Sequence, residues 1–310
     1  MTRRIIAISV LFLAFFQCLR AQLDVQFSDY TALKSYYNPA VSGTNGELSV
    51  QAAYSMQMTG YKGAPNTMYV GADMPIYFIG PRHGFGLNFL NDEIGMFKQV
   101  QLGLQYAYNA KLGKKGRLAI GVHGGLMNET IDPSGVELDE PNDPAFPTSS
   151  VKGNSVDLGA GLYYYHPMLW PGQHLTAPVI ELGEKNEVEL TRMYYLMGGC
   201  NIKLKNSFLS VQPSFLVQSN LTSWREDVQC KVTYEYEGRK FFGGVGYSPD
   251  ISTTFMLGGV FHDITLGYSY QMYTSGIGML NGSHELVLGY QTELDLFKKG
   301  RNKHKSVRWL

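Results

Sequence analysis

Few residues in this 310-residue chain carry an obvious claim to chemistry. Ser283, His284 and Glu285 stand in a row. Serine, histidine and an acid are the inventory of nucleophilic catalysis, in which an imidazole takes the hydroxyl proton and a carboxylate orients the imidazole. Adjacency works against that use. Neighbours on an extended chain point to opposite faces, so Ser283 and His284 cannot easily form a nucleophile–base pair. Between residues 129 and 147, Glu129, Asp132, Glu137, Asp139, Glu140 and Asp143 occur without a Lys or Arg. Hard oxygen donors at that density could hold calcium, but EF-hand spacing is missing and prolines interrupt the run, so a solvated loop is the simpler reading. The seven histidines stand singly, without metal-ligand spacing. Gly84-Phe85-Gly86 has no helix after it and is no nucleotide fingerprint. We therefore expect no cofactor, no metal and no catalytic residue, and read the protein as no enzyme.

The elements that would position these residues are strands. Residues 100–110 read Val-Gln-Leu-Gly-Leu-Gln-Tyr-Ala-Tyr-Asn-Ala, with even positions apolar and odd ones small or polar. A period of two puts alternate side chains on opposite faces. Fourteen such segments are predicted, at about 47–57, 66–78, 82–91, 98–111, 116–128, 154–166, 172–180, 187–204, 207–218, 224–237, 239–248, 252–261, 264–273 and 283–296. Leu48, Val50, Ala52, Tyr54 and Met56 share one face of the first, and Leu266, Tyr268, Tyr270 and Met272 one face of the thirteenth. The seventh, flanked by Pro171 and Pro178, has the weakest pattern.

A soluble sandwich would bury the apolar faces, whereas a transmembrane barrel turns them to lipid and keeps polar faces in its lumen. Loop lengths decide between them. Linkers after even-numbered strands are short, and those after odd-numbered strands, such as Met58–Pro65, Asp92–Phe97, Asn128–Gly153 and Tyr273–Gly282, are mostly longer. Outer-membrane barrels have an even strand number, short periplasmic turns and longer external loops. The composition agrees, with 35 Gly, 21 Tyr and 16 Phe but only 17% charged residues. Tyr and Phe suit strands and membrane interfaces, and Gly suits barrel curvature. After the N-terminal segment, no run reaches the ~18 apolar residues of a membrane helix. The expected fold is all-β, a 14-stranded antiparallel transmembrane β-barrel of the outer membrane over 47–297.

Both ends lie outside the alternation. Arg3 and Arg4, an apolar run from Ile5 to Phe16, and Ala21-Gln22 make residues 1–21 a secretory signal peptide. Segment 22–46 lacks alternation yet carries Phe27, Tyr30, Tyr36 and Tyr37. So many aromatics argue for an ordered element that folds into the lumen or docks a periplasmic partner, against a tail packed loosely beneath the barrel. Asn38-Pro39 is a turn signal leading into the first strand. Residues 298–310 hold six basic residues and no acid, while 22–297 hold 17 basic against 26 acidic ones. The basic tail follows an even-numbered strand and so emerges in the periplasm. Lys298, Lys299, Arg301, Lys303, Lys305 and Arg308 are either merely solvated or dock an acidic partner, with Trp309 and Leu310 as an apolar end. Cys200 and Cys230 both fall on the apolar face of strands separated by a third. That spacing of about 10 Å exceeds the reach of a disulfide and predicts two free thiols.

Several segments resemble one family. Gln26-Phe27-Ser28-Asp29-Tyr30 followed by Tyr37-Asn38-Pro39-Ala40-Val41-Ser42-Gly43 is similar to the opening of the PorP/SprF outer-membrane proteins. Tyr61-Lys62-Gly63-Ala64-Pro65 with Ala72-Asp73-Met74-Pro75 is similar to their next block. So are Gly84-Phe85-Gly86-Leu87 leading to Asn91-Asp92-Glu93-Ile94-Gly95, Gly267-Tyr268-Ser269-Tyr270, and Gly282-Ser283-His284-Glu285-Leu286. The likeness leans towards the PorP side of the family. The acidic loop 129–147 and the stretch from Pro167 to Asn186 depart from the family pattern.

The resemblance implies a component of the type IX secretion system, an accessory or anchoring barrel distinct from the translocating pore. Its implied partners are a periplasmic ring lipoprotein and that lipoprotein's own partner, a peptidoglycan-binding periplasmic protein, secreted cargo and outer-membrane lipid. In gliding relatives such barrels serve adhesin delivery. Phe27, Tyr30, Tyr36, Tyr37, Asn38 and Pro39, with the basic tail, are the expected partner contacts. Gly63, Ala64, Pro65, Asn91, Asp92, Gly282, Ser283, His284 and Glu285, at strand ends, are the expected loop-locking motif. Two competing classes remain: a passive porin-like channel for small solutes, and a lipid hydrolase, for which no Ser-His set has matching parity. The acid excess of 22–297 and the lack of a basic aromatic stripe argue against nucleic acid.

Overall fold

The computed structural model describes residues 25–76, 79, 82–135, 149–166, 168–169, 172–182, 192–204, 208–274 and 281–293, and the side chains of all these except 173–182. The expected signal peptide, most of the acidic loop and the basic tail lie outside the described residues. A short helix α1 (Lys34–Tyr37) and a 3-10 turn (Pro39–Val41) precede the strands β1 (Leu48–Met56), β2 (Asn66–Pro75), β3 (His83–Ile94), β4 (Phe97–Leu112) and β5 (Gly116–Ile131). There follow β6 (Val151–Tyr165), β7 (Gly172–Leu182), β8 (Met193–Gly199), β9 (Ile202–Lys203) and β10 (Leu209–Ser219). The set ends with β11 (Trp224–Tyr236), β12 (Arg239–Ser248), β13 (Ser252–Phe261), β14 (Ile264–Tyr273) and β15 (Ser283–Thr292).

Successive strands pair antiparallel along the chain, and the ring closes where β1 pairs β15, with Leu48 opposite Thr292 and Met56 opposite His284. Among the described residues the fifteen strands make fourteen staves, because β8 and β9 pair with β10 in one register: Gly199 opposite Ser214, Ile202 opposite Val211. Pro213 explains the interruption. It stands opposite Cys200 and accepts from the Cys200 N–H (3.1 Å), but has no N–H to return. In place of the one strand expected over 187–204, the described residues form two, β8 and β9. Pro178 acts similarly in β7, where the register with β6 shifts between Val156 and Asp157. A closed cylinder leaves no strand edge unpaired, which is the condition for crossing lipid with strands.

The alternation sorts the faces. Leu102, Leu104, Tyr106 and Tyr108 of β4 point outward and are exposed, while Gln105, Ala107 and Asn109 are buried inside. Ile120, Val122, Leu257 and Leu266 continue the apolar outer belt on other staves. Inside, polar groups pair: His123 Nε2 lies 3.0 Å from Asp157 Oδ2, and Gln101 Nε2 donates to the same oxygen at 2.6 Å. At the rim carrying the short turns, Phe208 packs edge-on against Tyr236, and Phe241 against Phe261 at 5.2 Å between centroids. Such aromatic rows mark a membrane interface.

Two loop expectations change. β3 runs to Ile94 and β4 starts at Phe97, so the expected loop 92–97 is a tight turn, made by Gly95 with φ +60°. Asn91 and Asp92 therefore lie inside a strand. β5 extends to Ile131 and takes Glu129 out of the acidic loop. Just beyond it, Asp132 accepts from the Ser134 N–H at 3.0 Å, and the Ser134 hydroxyl and amide hold its carboxyl below the usual range. Cys200 and Cys230 are unbridged, on staves separated by β10.

Candidate functional site

The lumen is occupied by the chain's own N-terminal segment. Its polar residues fold it locally. The Asp29 carboxylate accepts from Thr31 Oγ1 and from the Ala32 N–H, closing a turn. Asn38 caps the 3-10 turn by accepting from the Ala40 N–H at 2.9 Å, with Pro39 at its first position. Phe27, Tyr30, Leu33, Tyr37, Asn38, Pro39 and Ala40 are buried, and Tyr36 is half-buried. Tyr36 meets Phe27, Tyr37 and the wall residue Tyr69 edge-on at 5.2, 4.8 and 5.2 Å between centroids. Edge-to-face contacts add to the burial term.

The segment threads the barrel from rim to rim. Near the long-loop rim, Gln26 Nε2 donates to Gln218 Oε1, and the Ser28 and Asp29 N–H groups donate to Glu285 Oε2 and Oε1 at 2.7 and 2.8 Å. Lys231 Nζ donates to Asp29 Oδ2 and to Thr31 Oγ1, both at 2.6 Å. Halfway down, Tyr30 OH lies 3.0 Å from Ser214 Oγ, and Gln105 Nε2 donates to Ser35 O at 2.9 Å. Towards the short-turn rim, Asn38 Nδ2 donates to Leu162 O at 2.9 Å, and the Gly43 N–H to Asp73 Oδ1 at 2.8 Å. Each hydrogen bond is worth roughly 1 kcal/mol net and costs more if one buried partner is left unmet.

The wall is shaped to receive this backbone. A β-carbon on Gly121 would come within 2.5 Å of Ala40 Cα and Pro39 C, and one on Gly84 would overlap the Ser42 carbonyl. Bare glycine at inward positions is what lets a second backbone approach a strand.

The residues expected to lock loops meet at the long-loop rim. The Gly95 N–H donates to Gly63 O at 2.9 Å, and a β-carbon on Gly63 would stand 3.1 Å from Gly95 Cα. Pro65 O accepts from the Gln57 N–H, and the Ala64 N–H donates to Tyr61 O. Gly282 O accepts from the Thr59 N–H at 3.0 Å, and Ser283 Oγ from the Met58 N–H at 3.1 Å. Asp92 points inward to Thr67 Oγ1, and Asn91 Nδ2 reaches Glu93 Oε1 at 3.5 Å. The row 283–285 is divided between faces. Ser283 lies inside, 2.8 Å from Tyr273 OH; His284 lies outside, 2.7 Å from Tyr268 OH; Glu285 lies inside against the N-terminal segment.

The rims differ in charge. Arg82, Lys111, Lys114, Lys115 and Arg117 are exposed on two neighbouring short turns, β2–β3 and β4–β5. Sequence reasoning did not single these out, nor Lys231 and Ser214, whereas the odd register of Gln105 places it in the lumen without naming its partner. Lys231 carried a signal, since it sits at an inward position of β11 between outward Cys230 and Val232, and a lysine in a lumen needs an acidic partner.

A family model described as type IX secretion system membrane protein PorP/SprF matches residues 19–290. No curated protein matches the chain. Among solved structures, the chain is similar to the CymD monoaromatic hydrocarbon channel, with TM-score 0.53 at 12% identity over 86% of this chain and 94% of that one. It is also similar to a deltaS2S3 mutant of the TodX monoaromatic hydrocarbon channel, with TM-score 0.50 at 10% identity over 91% and 98%. At such identities the likeness is one of fold, the outer-membrane barrel.

Proposed function

The chain belongs to the PorP/SprF family of type IX secretion system membrane proteins, and from that premise we propose that it is a sealed, non-catalytic anchor of this machinery. The carrying observation is the lumen. A segment buried along its length and bonded to staves on every side of the wall leaves a scaffold in place of an open conduit. The short turns mark the periplasmic rim by the rule of outer-membrane barrels, and the long-loop rim faces outward. On this reading residues 1–21 direct export. The basic periplasmic rim, with the tail 298–310, holds periplasmic components: a ring lipoprotein with its partner, and a peptidoglycan-binding protein. The aromatic segment 27–39 serves them by fixing the barrel's shape from within. Secreted cargo depends on the assembly without passing through this lumen.

The test is affinity isolation of the tagged protein from cell envelopes, with planar-bilayer recording of the purified barrel. Recovery of ring components together with a low, closed conductance is expected. A large steady conductance without ring components would overturn the reading in favour of a solute channel.

A further inference from the structure

One part of the outer wall departs from the convex belt. Across β8, β10, β11 and β12 the surface sinks into an apolar groove of about 780 Å³. Its floor is made by small outward residues, Gly198, Cys200, Pro213 and Cys230, where β13 presents Phe255 and Leu257. The Phe215 ring packs over Gly198, with a β-carbon there only 2.8 Å from Phe215 Cε1. The groove lies where Pro213 interrupts the β8–β9 stave, and it opens outward between exposed Leu169, Val245 and Tyr247. It is therefore continuous with the belt that meets membrane hydrocarbon.

We infer that this groove is a specific phospholipid site, holding one acyl chain of a lipid from the periplasmic leaflet. An apolar concavity bathed in hydrocarbon has no water to fill it, and an empty one forfeits the dispersion contacts of its lining. The charges select the leaflet. Arg239, exposed at the short-turn rim, stands on the same outward file of β12 as Val245, six residues along. Six residues of strand span about 20 Å. At a strand tilt near 40° that rise is about half of the ~30 Å hydrocarbon core. A phosphate beside Arg239 thus sends its chain into the groove and stops it at the membrane midplane. At the other rim, the exposed acids Glu226, on the outward file of β11, and Asp250, in the β12–β13 turn, would repel a phosphate.

The groove also backs onto the N-terminal segment. Ser214, between Pro213 and Phe215, holds Tyr30, and Gln229, between Val228 and Cys230, donates to Ser28 O. Chain and segment would thus brace the same thin wall from its two faces.

Native mass spectrometry of the full barrel, released from membranes in mild detergent, tests this. The wild type is expected to keep one phospholipid mass. Cys230→Phe, which fills the floor, should lose it, and Arg239→Glu should lower its occupancy several-fold. Leu257→Phe, on the flat belt of β13, should keep it. Heat-modifiable migration of each variant on gels verifies that the barrel is folded. If no lipid is retained, or Cys230→Phe and Leu257→Phe retain it equally, the site is refuted. A retained lipopolysaccharide mass overturns the leaflet assignment. A protein bound in place of lipid, and lost with Cys230→Phe, overturns the acyl-chain occupant.

Discussion

Lys231 on the wall and Asp29 on the N-terminal segment form an ion pair inside the barrel, Nζ 2.6 Å from Oδ2, with side chains 9% and 3% exposed. Residues 202 apart in sequence are joined where water is excluded. Removing one partner of such a pair strands the other, at a cost of about 3–5 kcal/mol, whereas replacing both with well-packed apolar groups can be neutral. Lys231→Met is therefore expected to destabilise the folded barrel by that amount and to free residues 25–31. The double variant Lys231→Met/Asp29→Leu should recover most of the loss. Urea unfolding with protease accessibility of the segment measures both, and a Lys231→Met barrel as stable as wild type would exclude the pair as an anchor.

The glycines beneath the segment give an independent test of whether it seals the lumen. Gly121→Val puts side-chain atoms where Ala40 and Pro39 now stand, and overpacking of this kind costs about 1–3 kcal/mol. With the wall rigidly hydrogen-bonded on both sides, the segment is what yields. Frequent conducting openings in planar bilayers are expected of this variant. Gly124→Ala faces outward, where its β-carbon would meet only Leu158 Cδ2 at 3.5 Å, and should stay closed.

The strands were legible because a period of two, sustained for ten or more residues, has no competing interpretation. β12, β13 and β14 fall at the residues the alternation predicts. Legibility failed where one residue overrides the pattern. Pro213 lies in β10 but breaks its neighbour β8, and no local reading of 193–204 shows a proline on another stave. Gly95 turns the chain in two residues where polar neighbours imitate a loop. The N-terminal segment was readable as ordered from its aromatics, but its depth and direction were not. Those depend on Ser214, which reads in sequence as an ordinary lumen-facing polar residue, on Lys231, whose acidic partner the sequence does not name, and on Asp73 and Glu285, which the family blocks single out without showing that they hold the segment. Only the closed ring brings them onto one path.

Cys200 and Cys230 test the stave order chemically. With β10 between them, they stand about 10 Å apart, beyond the reach of a disulfide. Protein purified without reductant and alkylated after unfolding is expected to take up two adducts. A mass short by two hydrogens that resists alkylation would contradict the placement of β10.

The basic rim carries the most direct test of the anchoring role. Arg82, Lys111, Lys114, Lys115 and Arg117 crowd two adjacent turns on one arc of the barrel. β15 ends at Thr292 on the same rim, two pairings away from β2 through β1. Exposed charges of one sign act over about 8 Å at physiological salt and fade as salt rises, so docking through this arc should be salt-sensitive. Reversing Lys111, Lys114, Lys115 and Arg117 to Glu is expected to lower co-isolation of ring components and cargo export, while heat-modifiable migration stays normal because no lumen contact of the N-terminal segment is removed except the long Arg117–Thr44 contact at 3.5 Å. Deleting 299–310 should act in the same direction, and the two changes together should exceed either alone. Lys62→Glu/Lys98→Glu at the opposite rim should leave export unchanged. Quantitative immunoblots of isolated envelopes at low and high salt, beside cargo in the medium, give the answer. Wild-type recovery and export after the four reversals would remove this arc from the anchoring surface.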